Sequence, residues 1–86
     1  MATLNQLRER IKKIDSAIIK KIAERQRLSK EIGLLKHKTR KRIVDLTREQ
    51  DLMEYYENLC VQYHLQPSII KRLFKIIIVY SRKLQK

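Results

Sequence analysis

The chain is poor in the residues that end or interrupt helices. Its 86 residues include one glycine, Gly33, and one proline, Pro67. A small β protein needs many tight turns, and turns draw heavily on these two residue types. This composition therefore predicts an all-α protein. At this length the chain should form a single domain, residues 1–86, whose small core gains from oligomerisation.

Cysteine, long apolar runs and metal-ligand clusters are also scarce. The single cysteine, Cys60, cannot form an internal disulfide, and it falls on an apolar helical face, which predicts a core thiol in a cytoplasmic protein. No apolar run approaches the length of a membrane span, and the first residues show no secretory signal. His37 and His64 lie far apart in the sequence. We therefore expect no metal site and, without a glycine-rich phosphate loop, no cofactor.

Acidic residues are few. The chain has nine Asp and Glu residues and 21 Lys and Arg residues, which gives a formal net charge of +12. This excess favours anionic partners, which include nucleic acid, a membrane surface and an acidic small molecule. The basic run 36–42 is typical either of a nucleic-acid patch or of a solvated loop between helices, and we favour the loop. Basic residues spread over the whole chain argue against a nucleic-acid-binding helical dimer, although that alternative stays open.

A long amphipathic pattern dominates the first half of the chain. Apolar residues recur in steps of three and four, mainly at Leu4, Leu7, Ile11, Ile14, Ile18, Ile22, Leu28, Ile32 and Leu35. This spacing predicts one helix from Leu4 to Lys38 with a buried face. Such a helix would be about 50 Å long, more than the width of a compact domain of this size. It therefore needs other helices beside it, including those of a second chain.

Two cations interrupt the apolar face of this helix. Arg25 and Lys36 are eleven residues apart, close to three turns, so they point in the same direction. One interpretation is that their stems pack against the helix while their charged ends reach water. The other is an anion-binding site, because unpaired charges are rarely left in a protein core.

Polar residues also lie on the apolar faces of two shorter predicted helices. Asp45 is a favourable N-cap for the second helix, and Arg48 and Glu49 then fall near its buried side. These residues can stabilise the N-terminus of the helix or line a binding site, and the sequence pattern fits both interpretations equally well. Pro67 suits the first position of the third helix.

Ser81 and Gln85 lie four residues apart, so they share one face of this third helix. Their positions are consistent either with a frayed, solvent-exposed C-terminal end of this helix or with a binding site. The polar residues on apolar faces are therefore Arg25, Lys36, Arg48, Glu49, Ser81 and Gln85. They include no activated nucleophile, so a shared pocket suits a small polyanion that carries a hydroxyl group. Any catalysis there would act by positioning and electrostatics.

The motifs, in order, closely resemble the all-helical chorismate mutases, small dimeric isomerases that convert chorismate to prephenate in phenylalanine and tyrosine biosynthesis. The resemblance runs from Leu4 to Gln85. It rests on Leu7-Arg8-Glu9, Ile14-Asp15, Ala23-Glu24-Arg25, Gly33-Leu34-Leu35-Lys36, Val44-Asp45-Leu46-Thr47-Arg48-Glu49 and Ser81-Arg82-Lys83-Leu84-Gln85.

The resemblance implies an intertwined homodimer of three-helix chains with two active sites. In it, Arg8 of one chain and Arg25 of the other would bind the two carboxylates of chorismate. The geometry of the predicted helix agrees with this implication. Arg8 and Arg25 are separated by 17 residues, about 25 Å along the axis, and cannot hold one small ligand from the same straight helix.

The resemblance also implies roles for the remaining residues of the site. Ser81 would assist at a carboxylate, and Glu49, with Asp45 and Arg48, would bind the ring hydroxyl. Lys36 and Gln85 would donate hydrogen bonds to the ether oxygen. Isochorismate–pyruvate lyases share this fold and remain an alternative, but the Asp45-x-x-Arg48-Glu49 motif favours a mutase.

Overall fold

The computed structural model describes all residues, 1–86, and contains three α-helices and no strand. Helix α1 spans Leu4–Lys38, α2 spans Leu46–Tyr63 and α3 spans Pro67–Gln85. The predicted all-α class, the number of helices and the bounds of the long helix are confirmed. None of the three is both long and apolar enough to cross a membrane.

Local sequence signals set the helix starts. Before α1, the Thr3 hydroxyl accepts a hydrogen bond from the Gln6 amide, and the Gln6 side chain accepts one from the Thr3 amide, which forms a capping box. Before α2, the Asp45 carboxylate accepts from the Arg48 amide at 3.0 Å. Pro67 lies in the first turn of α3, where its missing N–H costs nothing. The predicted roles of Asp45 and Pro67 are confirmed.

Helix α3 lies between the other two helices and packs against both, which leaves a groove between α1 and α2. The apolar core is small and consists of Tyr56, Cys60, Ile77 and Ile78. The rings of Tyr56 and Phe74 pack with their centroids 4.3 Å apart. Cys60 is 2% exposed, so the predicted core thiol is confirmed. This core joins α2 to α3 but does not include the first half of α1.

Gly33 allows the closest contact between α1 and α3. A Cβ atom at this position would lie 2.6 Å from the Cα of Gln85, which is far inside van der Waals contact. Only glycine therefore lets the last turn of α3 rest directly on the α1 backbone. This close approach sets the position of Gln85 relative to Lys36, one turn further along α1.

The first half of α1 projects away from the rest of the chain. Every residue from Met1 to Lys21 is exposed, and the apolar Ile11 and Ile14 are 58% and 59% exposed. The radius of gyration is 16.3 Å, whereas a compact domain of this length has about 12 Å. The apolar face that the sequence places on this half of α1 is therefore not buried within one chain.

Candidate active site

A cavity of about 230 Å³ lies where the second half of α1, the start of α2 and the end of α3 meet. Seven of the eight residues predicted for the site line it, and Arg8 does not. The seven are Arg25, Lys36, Asp45, Arg48, Glu49, Ser81 and Gln85. The wall also includes Ser29, Ile32, Ile43, Leu52, Ile78 and Arg82.

Helical spacing explains how these side chains converge. On α1, Arg25 and Lys36 lie on one face with Ser29 between them, and this face turns toward α3. On α3, Ser81 is buried and Gln85 is half-buried. The interpretation of these two residues as a frayed helix end is therefore wrong.

Lys36 is held by two acceptors of the protein. Its ammonium group donates to the backbone carbonyl of Ile43 at 2.7 Å and to Oε1 of Gln85 at 3.0 Å. A lysine ammonium carries three protons, so one donor remains for the cavity. Because lysine can only donate, the Gln85 atom facing it is the amide oxygen, and the Gln85 NH₂ group remains a free donor. The pair thus offers two hydrogen-bond donors side by side.

A network of polar side chains supports Arg25. One guanidinium nitrogen of Arg25 donates to the Ser81 hydroxyl. The Ser81 oxygen lies 2.8 Å from Oε1 of Gln26 and 3.0 Å from the Ile77 carbonyl, so its single proton has two acceptors within the protein. Ser29 donates to the same Gln26 oxygen at 3.3 Å. These contacts orient the Arg25 guanidinium group, which Ser81 contacts directly and Gln26 stabilises through Ser81.

The cavity carries an excess of positive charge. Its lining includes the cations Arg25, Lys36, Arg48 and Arg82, and the carboxylates Asp45 and Glu49. Asp45 both caps α2 and lines the cavity, so the capping and site interpretations of this segment are compatible. Glu49 is half-buried and pairs with Arg82. A small dianion therefore fits the charge of the cavity better than a cation or a neutral molecule.

Arg8 lies on the exposed first half of α1, about 25 Å along the helix from Arg25. Next to the cavity, the groove between α1 and α2 has a volume of about 600 Å³ and is lined mainly by apolar side chains. The groove and the cavity share Arg25, Ser29, Ile32, Arg48 and Leu52. A helix seated in this groove would therefore border the cavity.

Several residues that shape the site carry no clear signal in the sequence. Arg82 lies four residues after Ile78 and three before Gln85, so helical spacing could have placed it on the cavity face. Gln26 and the Ile43 carbonyl could not be found in this way. Gln26 is 6% exposed and lies beside Arg25, and its amide nitrogen has no partner in the chain. No group of three or more His, Cys, Asp and Glu residues is arranged to hold a metal ion.

Comparison with known proteins agrees with this architecture. The family model described as Chorismate mutase type II matches residues 7–86. A chorismate mutase of Methanocaldococcus jannaschii is 32% identical over 83 residues, which cover 96% of this chain and 84% of the relative. A bifunctional chorismate mutase/prephenate dehydratase of Escherichia coli is 38% identical over 72 residues, or 84% of this chain and 19% of the relative.

A similar bifunctional protein of Buchnera aphidicola (from Schizaphis graminum) is 36% identical over 83 residues. The chain spans about a fifth of the length of these bifunctional relatives. The fold and the cavity together define a small all-helical protein with a cation-rich cavity shared by three helices. The family model matches residues 7–86, nearly the whole chain, and therefore identifies the family of this protein. The protein belongs to the type II chorismate mutase family.

Proposed function

We propose that this type II chorismate mutase binds chorismate in the cavity between its three helices and rearranges it there to prephenate. The observation that carries this assignment is the pair of donors formed by Lys36 and Gln85. Prephenate is a precursor of phenylalanine and tyrosine, so the reaction belongs to aromatic amino acid biosynthesis. Cys60 is buried and unpaired, which supports a cytoplasmic location.

The donor pair acts at the ether oxygen of the substrate. In this concerted rearrangement the C–O bond to the enolpyruvyl arm breaks while a new C–C bond forms, and negative charge develops on the ether oxygen. The third proton of Lys36 and the NH₂ group of Gln85 then stabilise this charge. Because these donors are fixed before the reaction by Ile43 and by each other, they favour the transition state over the ground state.

The arginines hold the substrate in its reactive shape. Arg25, supported by Ser81, binds one carboxylate, and Arg8 of the partner subunit binds the other. A guanidinium group can form two parallel hydrogen bonds with a carboxylate, which restricts its rotation. Fixing both carboxylates brings the two ends of the flexible substrate together and lowers the entropic part of the barrier. A direct contact between Ser81 and a carboxylate stays a prediction.

The ring hydroxyl is assigned to the start of α2. Glu49 lines the cavity and provides a carboxylate that can accept a hydrogen bond from this hydroxyl. Asp45 and Arg48 lie on the same wall, with Asp45 joined to the Arg48 backbone. These residues belong to the start of α2, whereas Lys36 and Gln85 belong to α1 and α3, so different helices would bind the hydroxyl and the ether oxygen.

A homodimer completes the site in this proposal. The exposed apolar face of α1, from Leu4 to Ile18, lacks a partner within its own chain, and the groove between α1 and α2 is apolar and open. Seating the first half of α1 from a second copy in each groove would cover both surfaces. Because the groove borders the cavity, this arrangement also brings Arg8 of the partner subunit close to Arg25.

The direct test is the loss of chorismate absorbance in the presence of the purified protein, with the product identified as prephenate. Isochorismate serves as the comparison substrate. We expect rapid conversion of chorismate and little release of pyruvate from isochorismate. Pyruvate release from isochorismate without prephenate formation would instead assign the site to a lyase of the same fold.

Replacing Gln85 with Glu should displace activity to acid pH. An amide donates a hydrogen bond at any ordinary pH, whereas a carboxyl group must be protonated to donate. We expect the wild-type kcat to be nearly flat from about pH 5 to 8, and the ratio of Gln85→Glu to wild-type kcat to rise as the pH falls. Initial rates across this range provide the measurement. A steep acid-favoured wild-type profile would count against Gln85 facing the ether oxygen.

A further inference from the structure

Arg82 lines the cavity, yet the proposed mechanism gives it no role. It lies on α3 and forms an ion pair with Glu49 on α2. Its Nη2 donates to Oε1 of Glu49, and its Nε lies 3.3 Å from Oε2. The two side chains are 32% and 21% exposed, so the pair is partly removed from water. Arg82 thus binds the Glu49 carboxylate, which in the proposed mechanism accepts a hydrogen bond from the ring hydroxyl.

The geometry of the pair leaves Glu49 able to accept another hydrogen bond. Each carboxylate oxygen has two acceptor positions, and Arg82 uses one on each oxygen. No other side chain or backbone group of the chain bonds to the Glu49 carboxylate. A two-point contact fixes both the position and the rotation of the carboxylate, which one contact cannot do.

The charge of the pair also matters for a dianionic substrate. An uncompensated Glu49 would repel the substrate carboxylates across a small cavity. Arg82 offsets this charge and still leaves the oxygen atoms available as acceptors. The cavity can therefore present a hydroxyl acceptor to a substrate that is itself negatively charged.

We propose that Arg82 is a positioning residue that fixes the Glu49 carboxylate as the acceptor for the substrate ring hydroxyl. Through Glu49, Arg82 sets the preference of the site for a hydroxylated dianion. This inference rests on the proposed function of the cavity. The competing explanation is that Arg82 only ties α3 to α2.

The chain contains a matched control for that explanation. Lys71 on α3 pairs with Glu57 on α2, so it joins the same two helices, but neither residue lines the cavity. Lys71→Met removes an ion pair and one positive charge far from the substrate. Arg82→Met removes an ion pair and one positive charge at the cavity wall.

The experiment measures kcat and KM for chorismate with the wild type, Arg82→Met, Lys71→Met, Arg82→Lys, Glu49→Gln and the Arg82→Met/Glu49→Gln double variant. We expect Arg82→Met to lower kcat/KM by about 10- to 100-fold, by analogy with residues that orient the ligands of a metal ion through hydrogen bonds. Lys71→Met should stay near wild type. Arg82→Lys should recover part of the loss, because lysine restores the charge without the two-point geometry.

The double variant separates positioning from other effects. If Arg82 acts through Glu49, adding Arg82→Met to Glu49→Gln should cost little more than Glu49→Gln alone. Equal behaviour of Arg82→Met and Lys71→Met, or losses that multiply in the double variant, would overturn the inference. Arg82→Lys keeps the test decisive if Arg82→Met does not fold. A wild type that leaves chorismate unchanged would instead overturn the proposed function itself.

Discussion

Replacing Lys36 with Ala is expected to lower kcat by about 10²- to 10³-fold, with a smaller change in KM. In the proposed mechanism the ammonium group donates to an oxygen that gains negative charge only as the C–O bond breaks, so its loss should destabilise the transition state more than the bound substrate. The loss also frees the Gln85 side chain, because Lys36 holds its amide oxygen. The measurement is the initial rate of chorismate loss over a range of substrate concentrations.

Arg25→Ala is expected to act differently. The carboxylate assigned to Arg25 in the proposed mechanism is charged in both the substrate and the transition state, so Arg25 should contribute to binding in both. We expect kcat/KM to fall about 30-fold or more, equivalent to about 2 kcal/mol, with much of the change in KM. This contrast between KM and kcat distinguishes a residue that binds from one that stabilises developing charge.

Lys30→Ala is the matched control for both variants. Lys30 lies on α1 between Arg25 and Lys36, carries the same charge, is exposed and does not line the cavity. Its removal should leave kcat and KM near the wild-type values. A folded Lys36→Ala variant with wild-type kcat would contradict the proposed role of the ammonium group. Circular dichroism establishes that each variant retains its helices.

The sequence predicts the helices of this protein well because their signals are local. The apolar period and the absence of glycine and proline before Gly33 define α1, while Asp45 and Pro67 mark the starts of α2 and α3. The spacing of Arg25 and Lys36 within one helix likewise places them on a common face. Such relations depend only on helical geometry and hold before any tertiary packing is known.

The contacts between helices could not be predicted in the same way. The pairing of Arg82 with Glu49 depends on how α3 lies against α2, and residues 33 apart in the sequence carry no period that links them. The bond from Lys36 to the Ile43 carbonyl requires the loop after α1 to turn back on the helix. The support of Ser81 by Gln26 depends on the depth to which α3 packs on α1.

In the first half of α1, the burial predicted by the apolar sequence pattern differs from the burial observed in a single chain. Its apolar period predicts a buried face, yet Leu4 and Ile11 are 62% and 58% exposed in one chain. A pattern of this kind reports that a face is buried but not which chain buries it. The apolar groove beside the cavity is the surface of matching character, and this is the physical basis for expecting a second copy there.

Mixing two impaired variants is expected to restore activity at chorismate concentrations well below KM if Arg8 acts across the dimer. Arg8→Ala and Arg25→Ala homodimers each lack one guanidinium in both sites. A mixed dimer has one site without either arginine and one site with both. Equal amounts unfolded together and refolded give about half mixed dimers, so activity should recover to about a quarter of the wild-type value. The measurement is chorismate turnover before and after this exchange.

The reverse mixture provides the control. When wild-type chains are exchanged with an Arg8→Ala/Arg25→Ala double variant, both sites of the mixed dimer lack one arginine, so activity per wild-type chain should fall by about half. If Arg8 instead served the cavity of its own chain, each wild-type chain would keep its full activity. In that case the two single variants would also fail to rescue one another. Complementation in the first mixture together with interference in the second therefore requires an active site built from two chains.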